Sequence, residues 1–426
     1  MMSLSPFYTP ASLTMGSSSP TIIITGASGM LGRALHRLLN NSQNKYNVIG
    51  TGLTRLSVNH FHKHYHPTSA SSSTSESSSA SAVNLHHLNL LDHAATTDFL
   101  THHNPDIIIH CAAERYPDAF EKNAEEAYQL NVESTRHLAN ECLRLSQERS
   151  DGQNKPYLIY ISTSYVFDGG AVSNDFPPYH PTKSKANPLN SYGQSKWDGE
   201  CVVRDILNKC CEVGPENGQA DGQGIIVRVP LLYGEDCLDL NESPALETMK
   251  TFLPSAKTAT TTSTTISKKK IDDWALRFPT SVEDVAKVLK LMIDLILPPS
   301  NDISNPVSHS KAFNSAGDKK ATAFTAGTYH VASPYGTTKY QLLLLQLKLF
   351  NISFEEARRR IVGDNSGPPE NSAPRPQCTQ LDCQDTWAAL NACAGVDKKK
   401  VSFEFVSLEE GIERALRGFP ERFTGQ

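Results

Sequence analysis

What this 426-residue chain lacks closes several functional classes. No apolar run approaches the ~18 residues a membrane span needs, so nothing reads as membrane-crossing. There is no basic excess: the net charge is −5, and no global positive field points to nucleic acid. The nine cysteines lack metal-ligand spacing, since Cys210 and Cys211 are adjacent and Cys378 and Cys383 do not form a CxxC pair. They read as reduced thiols of a cytoplasmic protein. No Lys or Arg precedes Arg33. The Ser-rich leader, residues 1–20, is therefore expected to be a disordered tail and not a signal peptide or presequence. No internal repeat is visible, and the length suits one large or two moderate domains.

What is present is organised around Thr21 to Leu31, TIIITGASGML, running on into Gly32. A β-branched run enters Gly26, and Gly29 and Gly32 follow at three-residue intervals. An apolar helix pattern starts at once with Met30, Leu31, Ala34, Leu35, Leu38 and Leu39. This predicts strand, tight turn and helix, with bare backbone where a pyrophosphate approaches and a partly positive helix N-terminus behind it. Taken alone, the glycine triplet is equally an ordinary βα turn.

Tyr46 to Thr51 reads as a second strand. Its end, Gly52-Leu53-Thr54-Arg55, carries no carboxylate to hold a ribose 2′-OH. That favours NADP(H), with Arg55 as partner of the 2′-phosphate; a solvated loop charge is the plain alternative. Thr68 to Ala82 is almost all Ser, Thr and Ala, and is expected to be a disordered insertion. The nearby His60, His62, His64, His66, His86 and His87 read as a polar flexible loop, because no carboxylate or thiol completes a ligand set. A short strand and turn are expected at Leu88 to Asp92, against an adenine ring. Asp106 to Cys111 reads as a central buried parallel strand, followed by small Ala112 and Ala113 and then Glu114 and Arg115. Ala124 to Leu145 is expected to form one long helix containing Asn131. Further strands are expected at Tyr157 to Ser162, Ile225 to Val229 and Gly327 to Val331. Further helices are expected from Asn190, near Ser281, at Lys339 to Phe350, apolar nearly all round and hence buried, and at Leu408 to Leu416.

The strand ending in Thr163 and the helix presenting Tyr192 and Lys196 make a proton-transfer set. The two helix residues are four apart and share a face. A free tyrosine near pKa 10 holds its proton too tightly for neutral chemistry, and a nearby ammonium lowers that value. An isolated YxxxK is also a common exposed helix face. Its weight comes from lying downstream of the glycine turn.

Together, TGASGMLG, HCAAE, LNV, STSYVFDG, NSYGQSKWDGE and VRVPLLYGE resemble the extended short-chain dehydrogenases/reductases. Within them the chain is similar to the dTDP-4-dehydrorhamnose reductase branch. Within that branch it is similar to the regulatory (beta) subunits of methionine adenosyltransferase, through HCAAER, IYIS, YVFDG, DDWALRFPTSVEDVA, TTKYQ and RPQCTQLDC. The resemblance implies that Ser28, Gly29, Met30 and Leu31 line the cofactor diphosphate. It puts Leu53, Thr54 and Arg55 at the adenosine 2′-phosphate, and Asn89 and Leu90 at the adenine. Cys111, Ala112 and Arg115 would lie along the cofactor, Tyr192 and Lys196 at the nicotinamide ribose, and Leu232 at the nicotinamide. Thr163, Tyr192 and Lys196 would orient substrate, donate the proton and lower the tyrosine pKa. The implied roles are an NADP(H)-binding regulator of the catalytic methionine adenosyltransferase subunit or, alternatively, a reductase of a nucleotide-linked 4-keto sugar. The chain departs from the branch at Ser164, where Asp is usual, and in its ending GFPERFTGQ, which differs from the tail by which such subunits dock.

The expected architecture is α/β: a Rossmann-type, doubly wound parallel sheet of about seven strands, with a smaller C-terminal α/β substrate-type domain and disordered insertions. Residues 21–232 are expected to form the NADP-binding domain, with an insertion at about 67–82 and a loop at 170–190 reaching the second domain. Residues 233–426 would form that smaller, discontinuous domain, returning to the sheet near 278–297 and 327–333.

Overall fold

The computed structural model describes residues 19–42, 45–54, 84–150, 154–172, 174–208, 222–235, 237–251, 268–297, 324–393 and 403–417. Arg55, His60, His62, His64, His66, the 67–82 insertion, most of the leader and the final nine residues lie outside them.

The strands in chain order are β1 (Thr21–Thr25), β2 (Asn47–Gly52), β3 (Leu85–His87), β4 (Ile107–His110), β5 (Tyr157–Thr163), β6 (Gly224–Val229), β7 (Leu232–Tyr233), β8 (Lys269–Asp272), β9 (Thr280–Ser281), β10 (Gly327–His330) and β11 (Ile361–Asp364). Seven of them form one sheet in the order β3-β2-β1-β4-β5-β6-β10. Every pairing in it is parallel. Isoleucine runs suit the central strands β1, β4, β5 and β6, because these are buried on both faces. Ile22 and Ile24 pack with Leu35, Val285 and Leu289 on one side. Ile23 faces the other side, with Leu138, Cys142 and Val203. Each such side chain contributes about 1.5–3 kcal/mol of burial free energy, so the alternation fixes which helices cover which face. Chain order reverses between β1 and β4, which opens a crevice at their carboxyl ends.

Three local expectations are corrected. The strand expected at Leu88–Asp92 lies just before it, at β3, and so His86 and His87 belong to a strand and not to a loop. Leu90 and Leu91 form the turn that follows. The single helix expected over Ala124–Leu145 is interrupted: an α-helix (Ala124–Tyr128) passes through a π-helical turn (Gln129–Glu133) into a second α-helix (Ser134–Glu148). The helix Lys339–Leu349 buries Leu342, Leu343, Gln346 and Leu347, but Leu344 and Leu345 are only partly covered and line a shallow apolar groove. Its all-round apolarity thus does not translate into all-round burial.

The remaining strands make two parallel pairs, β8 with β11 and β7 with β9. Single bridges, Tyr179 to Leu381 and Leu276 to Cys378, tie the 179–182 and 375–383 segments to the rest. Among the described residues no helix is long and apolar enough to cross a membrane.

Candidate cofactor and proton-transfer site

The three glycines of the first turn are needed for three different reasons. Gly26 adopts φ +67°, and a Cβ there would lie 2.6 Å from the backbone nitrogen of Ala112. The turn is thus pressed against the end of β4. A Cβ on Gly32 would lie 2.4 Å from the Gly26 carbonyl oxygen and 2.7 Å from Ala27 Cα, so this glycine seats helix Met30–Asn40 on the turn. Gly29 is different. A Cβ there would meet only the Gly26 oxygen, at 3.3 Å. A side chain at Gly29 therefore asks one backbone oxygen to give by a few tenths of an ångström, far less than the clashes at Gly26 and Gly32. No side chain caps the helix at Gly29, and no acidic residue stands in its first turn. Backbone N–H groups and the helix dipole there suit a diphosphate. The cradle fits the dinucleotide expected from the sequence.

At the far end of the crevice, Leu88 N–H donates to the Gly52 carbonyl at 3.0 Å, which brings the Asn89–Leu90 turn beside Leu53. Leu90 is buried, while Asn89, Leu53 and Thr54 are exposed. Met30 and Leu31 are buried.

The end of β4 is held by Asn131. Its amide oxygen accepts the Glu114 N–H at 2.8 Å, and its amide nitrogen donates to the Glu114 carbonyl at 2.9 Å and to Ser195 Oγ at 3.0 Å. The π-helical turn contains Asn131, and π turns of this kind recur at functional sites. Buried His110 lies between two threonines, Thr25 at 2.7 Å and Thr135 at 3.1 Å, and burial pushes its pKa down to about 3. It is a neutral structural group.

Helix Ser191–Leu207 starts at Asn190, whose side-chain oxygen accepts from Gly193 N–H at 2.8 Å. The same side chain donates to the Pro374 carbonyl at 2.7 Å. Tyr192 and Lys196 follow on this helix. Burial pushes the Tyr192 pKa up to about 12, against the lowering effect of Thr163 and then Arg115. Lys196 is buried with its ammonium 4.0 Å from the centroid of the Tyr160 ring. Burial lowers its pKa to about 7, opposed by Glu200 and Cys111. Burial also pushes the Cys111 thiol up to about 12. Tyr192 thus holds its proton at neutral pH. The groups that most lower its pKa are Thr163 and Arg115, where the sequence pointed to Lys196. Gly199 lets the helix come this close: a Cβ there would lie 2.2 Å from the Tyr160 hydroxyl.

Beneath Lys196 lies a buried charge network that the sequence reading did not assemble. Glu200 accepts from Ser162 Oγ at 2.5 Å and from Arg228 Nε at 2.8 Å and Nη2 at 2.7 Å. Arg204 adds a bond at 2.5 Å. Arg228 reaches His330 Nε2 at 3.2 Å, and His330 Nδ1 contacts the Asp382 carbonyl at 3.0 Å. These cations hold the Glu200 carboxyl below the usual range despite its burial. The legible signal was Glu200 one turn beyond Lys196; its partner on β6 was not legible. Ser164, the departure from the branch pattern, is buried and donates to Thr379 Oγ1 at 3.1 Å. Leu232 is half-buried in β7, where its carbonyl accepts from Ser243 Oγ at 2.8 Å. A cleft of about 550 Å³ lies on the other side of the Tyr192 helix, lined by Phe120, Tyr128, Gln194 and Asp198 among others. Thr163, Tyr192, Lys196 and the glycine turn are not part of its wall.

Comparison with known proteins agrees with this architecture. The family described as RmlD substrate binding domain matches residues 20–394. The chain is similar to methionine adenosyltransferase 2 subunit beta of Xenopus tropicalis, 31% identical over 362 residues, which is 85% of this chain and 80% of the relative. It is also similar to dTDP-4-dehydrorhamnose reductase of Streptomyces griseus, 29% identical over 215 residues, half of this chain (50%) and 51% of the relative. Among solved structures, dTDP-4-dehydrorhamnose reductase of Bacillus anthracis in complex with NADP has the same fold: TM-score 0.59 at 20% identity, covering 94% of this chain and 99% of the other.

Proposed function

Because the chain belongs to the RmlD substrate binding domain family and has methionine adenosyltransferase beta subunits among its relatives, we propose that it is an NADP(H)-binding regulatory subunit. In this reading it binds the catalytic methionine adenosyltransferase in the cytoplasm and modulates S-adenosylmethionine synthesis. The observation that carries the reading is similarity to a beta subunit along most of both chains. The glycine cradle supports the cofactor: of the three, Gly29 has the least obstructed Cβ direction, with one backbone oxygen at 3.3 Å against backbone clashes of 2.4–2.6 Å at the other two. Ser28 to Leu31 and Gly32 would hold the diphosphate through backbone N–H groups. Residues 21–232 would form the cofactor unit, and 233–426 with the 170–190 loop the smaller one. The test is a pull-down of the catalytic enzyme with the full chain, followed by kinetics of the complex. Retention at micromolar concentration with altered kinetics is the expected result; no binding there sinks the proposal.

A second reading is favoured by one observation: burial keeps the Tyr192 proton in place at neutral pH, with Thr163 the neighbour that most opposes that hold. When bound, NADPH supplies a hydride. The chain's own part is then to orient a keto oxygen with Thr163 and to hold the proton on Tyr192 Oη for it. A reductase of dTDP-linked 4-keto sugars would oxidise NADPH with that substrate, and Tyr192→Phe would stop it. No turnover by the parent chain removes this reading.

A further inference from the structure

The segment Cys237–Ser243 leaves β7 and crosses back to the crevice. Its Glu242 is buried and binds Arg33 through both oxygens, at 3.2 and 2.7 Å. Arg33 stands in the first turn of the helix behind the glycine turn, and its Nη1 also donates to the Ser28 carbonyl at 2.5 Å. Arg115, from the end of β4, donates to the Glu242 carbonyl at 2.5 Å and to Tyr116 Oη at 2.9 Å. Tyr116 in turn donates to the Asn241 carbonyl. Within the segment, Leu238 N–H donates to Glu242 Oε2 at 2.8 Å, and Ser243 fastens the Leu232 carbonyl. Glu242 therefore joins the phosphate-binding turn, through its carboxylate, to Arg115 beside Tyr192, through its backbone carbonyl, from a segment that belongs to neither.

This arrangement sets two anions on one cation. A diphosphate at the glycine turn brings negative charge to the place where Arg33 is already committed to Glu242. Both groups are buried, so their charges are poorly screened. We propose that Glu242 is a positioning residue that competes with the cofactor diphosphate for Arg33. Cofactor binding then loosens the Cys237–Ser243 segment, and anything that holds the segment in place weakens the cofactor. The inference rests on the NADP(H) reading above and adds to it a route from the cofactor to the second half of the chain.

The test compares the full chain with Glu242→Gln and Glu242→Asp. NADPH affinity is measured by fluorescence titration over a salt series, and hydrogen exchange of residues 237–251 is followed with and without NADPH. In the parent chain, NADPH is expected to speed exchange in that segment. Glu242→Gln is expected to bind NADPH about tenfold more tightly, an order-of-magnitude effect of removing one nearby buried charge. It is also expected to lose the NADPH-dependent change in exchange. Glu242→Asp, which shortens the reach, shifts affinity in the same direction by less and covers the case in which the glutamine variant does not fold. A structural ion pair alone predicts lower thermal stability with affinity unchanged within twofold in both variants, and that result overturns the proposal. A parent chain that binds no NADPH overturns the cofactor reading and this inference together.

Discussion

Replacing Gly29 and Gly32 by alanine, one at a time, separates binding from folding within a single turn. At Gly29 the backbone is ordinary, φ −79°, and the new methyl meets only one oxygen at 3.3 Å. Stability is expected to change by less than about 1 kcal/mol. The methyl does stand off the backbone where the diphosphate is expected. Losing one charged backbone hydrogen bond costs about 1.5–3 kcal/mol, which is roughly ten- to hundredfold in affinity. At Gly32 the methyl is driven to 2.4 Å from one backbone atom and 2.7 Å from another. Backbone cannot swing aside as a side chain can, so overpacking of about 1–3 kcal/mol or more is expected. Thermal unfolding and NADPH titration read the two effects independently. Gly29→Ala binding NADPH like the parent, or losing as much stability as Gly32→Ala, refutes the separate roles of the two glycines.

Asn131→Leu leaves the Glu114 N–H and carbonyl without their side-chain partners and is expected to cost about 2–4 kcal/mol in chemical denaturation; a loss under 1 kcal/mol would dismiss the staple role. Glu200→Leu strips Arg228 of its carboxylate and is expected to cost about 3–5 kcal/mol, while the double variant with Arg228→Met recovers much of it; additive losses would argue against coupling. Lys196 has a folded pKa lowered to about 7, well under its unfolded value, so between these values the unfolded chain binds more protons and stability rises with pH. Lys196→Met should therefore stabilise the fold at pH 6–7, with the advantage shrinking towards pH 10; a difference independent of pH contradicts the burial argument.

The sheet was legible because buried parallel strands leave continuous β-branched runs, as at Ile22–Ile24 and Ile107–Ile109. The glycine turn and the Tyr192 helix were legible because their chemistry is local in sequence. The π turn was not: Asn131 within it bonds Glu114 and Ser195, which lie 17 and 64 positions away. The partner of Glu200 was hidden for the same reason: Arg228 comes from a strand 28 residues on. The expectation that Lys196 tunes Tyr192 came from spacing on one helix. Spacing says nothing of the Tyr160 ring contributed by β5, over which the ammonium lies. Strand β3 was displaced because two histidines disguised it as a loop.

The close seat of the Tyr192 helix also constrains the order in which this chain can change. Tyr160 and Gly199 occupy each other's space: the hydroxyl fills the position a Cβ at 199 would take, and the ring beneath it would still be only 2.7 Å away. Gly199 cannot gain a side chain while Tyr160 remains. Tyr160 cannot shrink first without opening a void under Lys196. A lineage leaving this arrangement has to cross an unfavourable intermediate whichever residue moves first, so the pair acts as a ratchet. The lysine and its aromatic seat can then persist by mutational history, whether or not any reaction still calls on them.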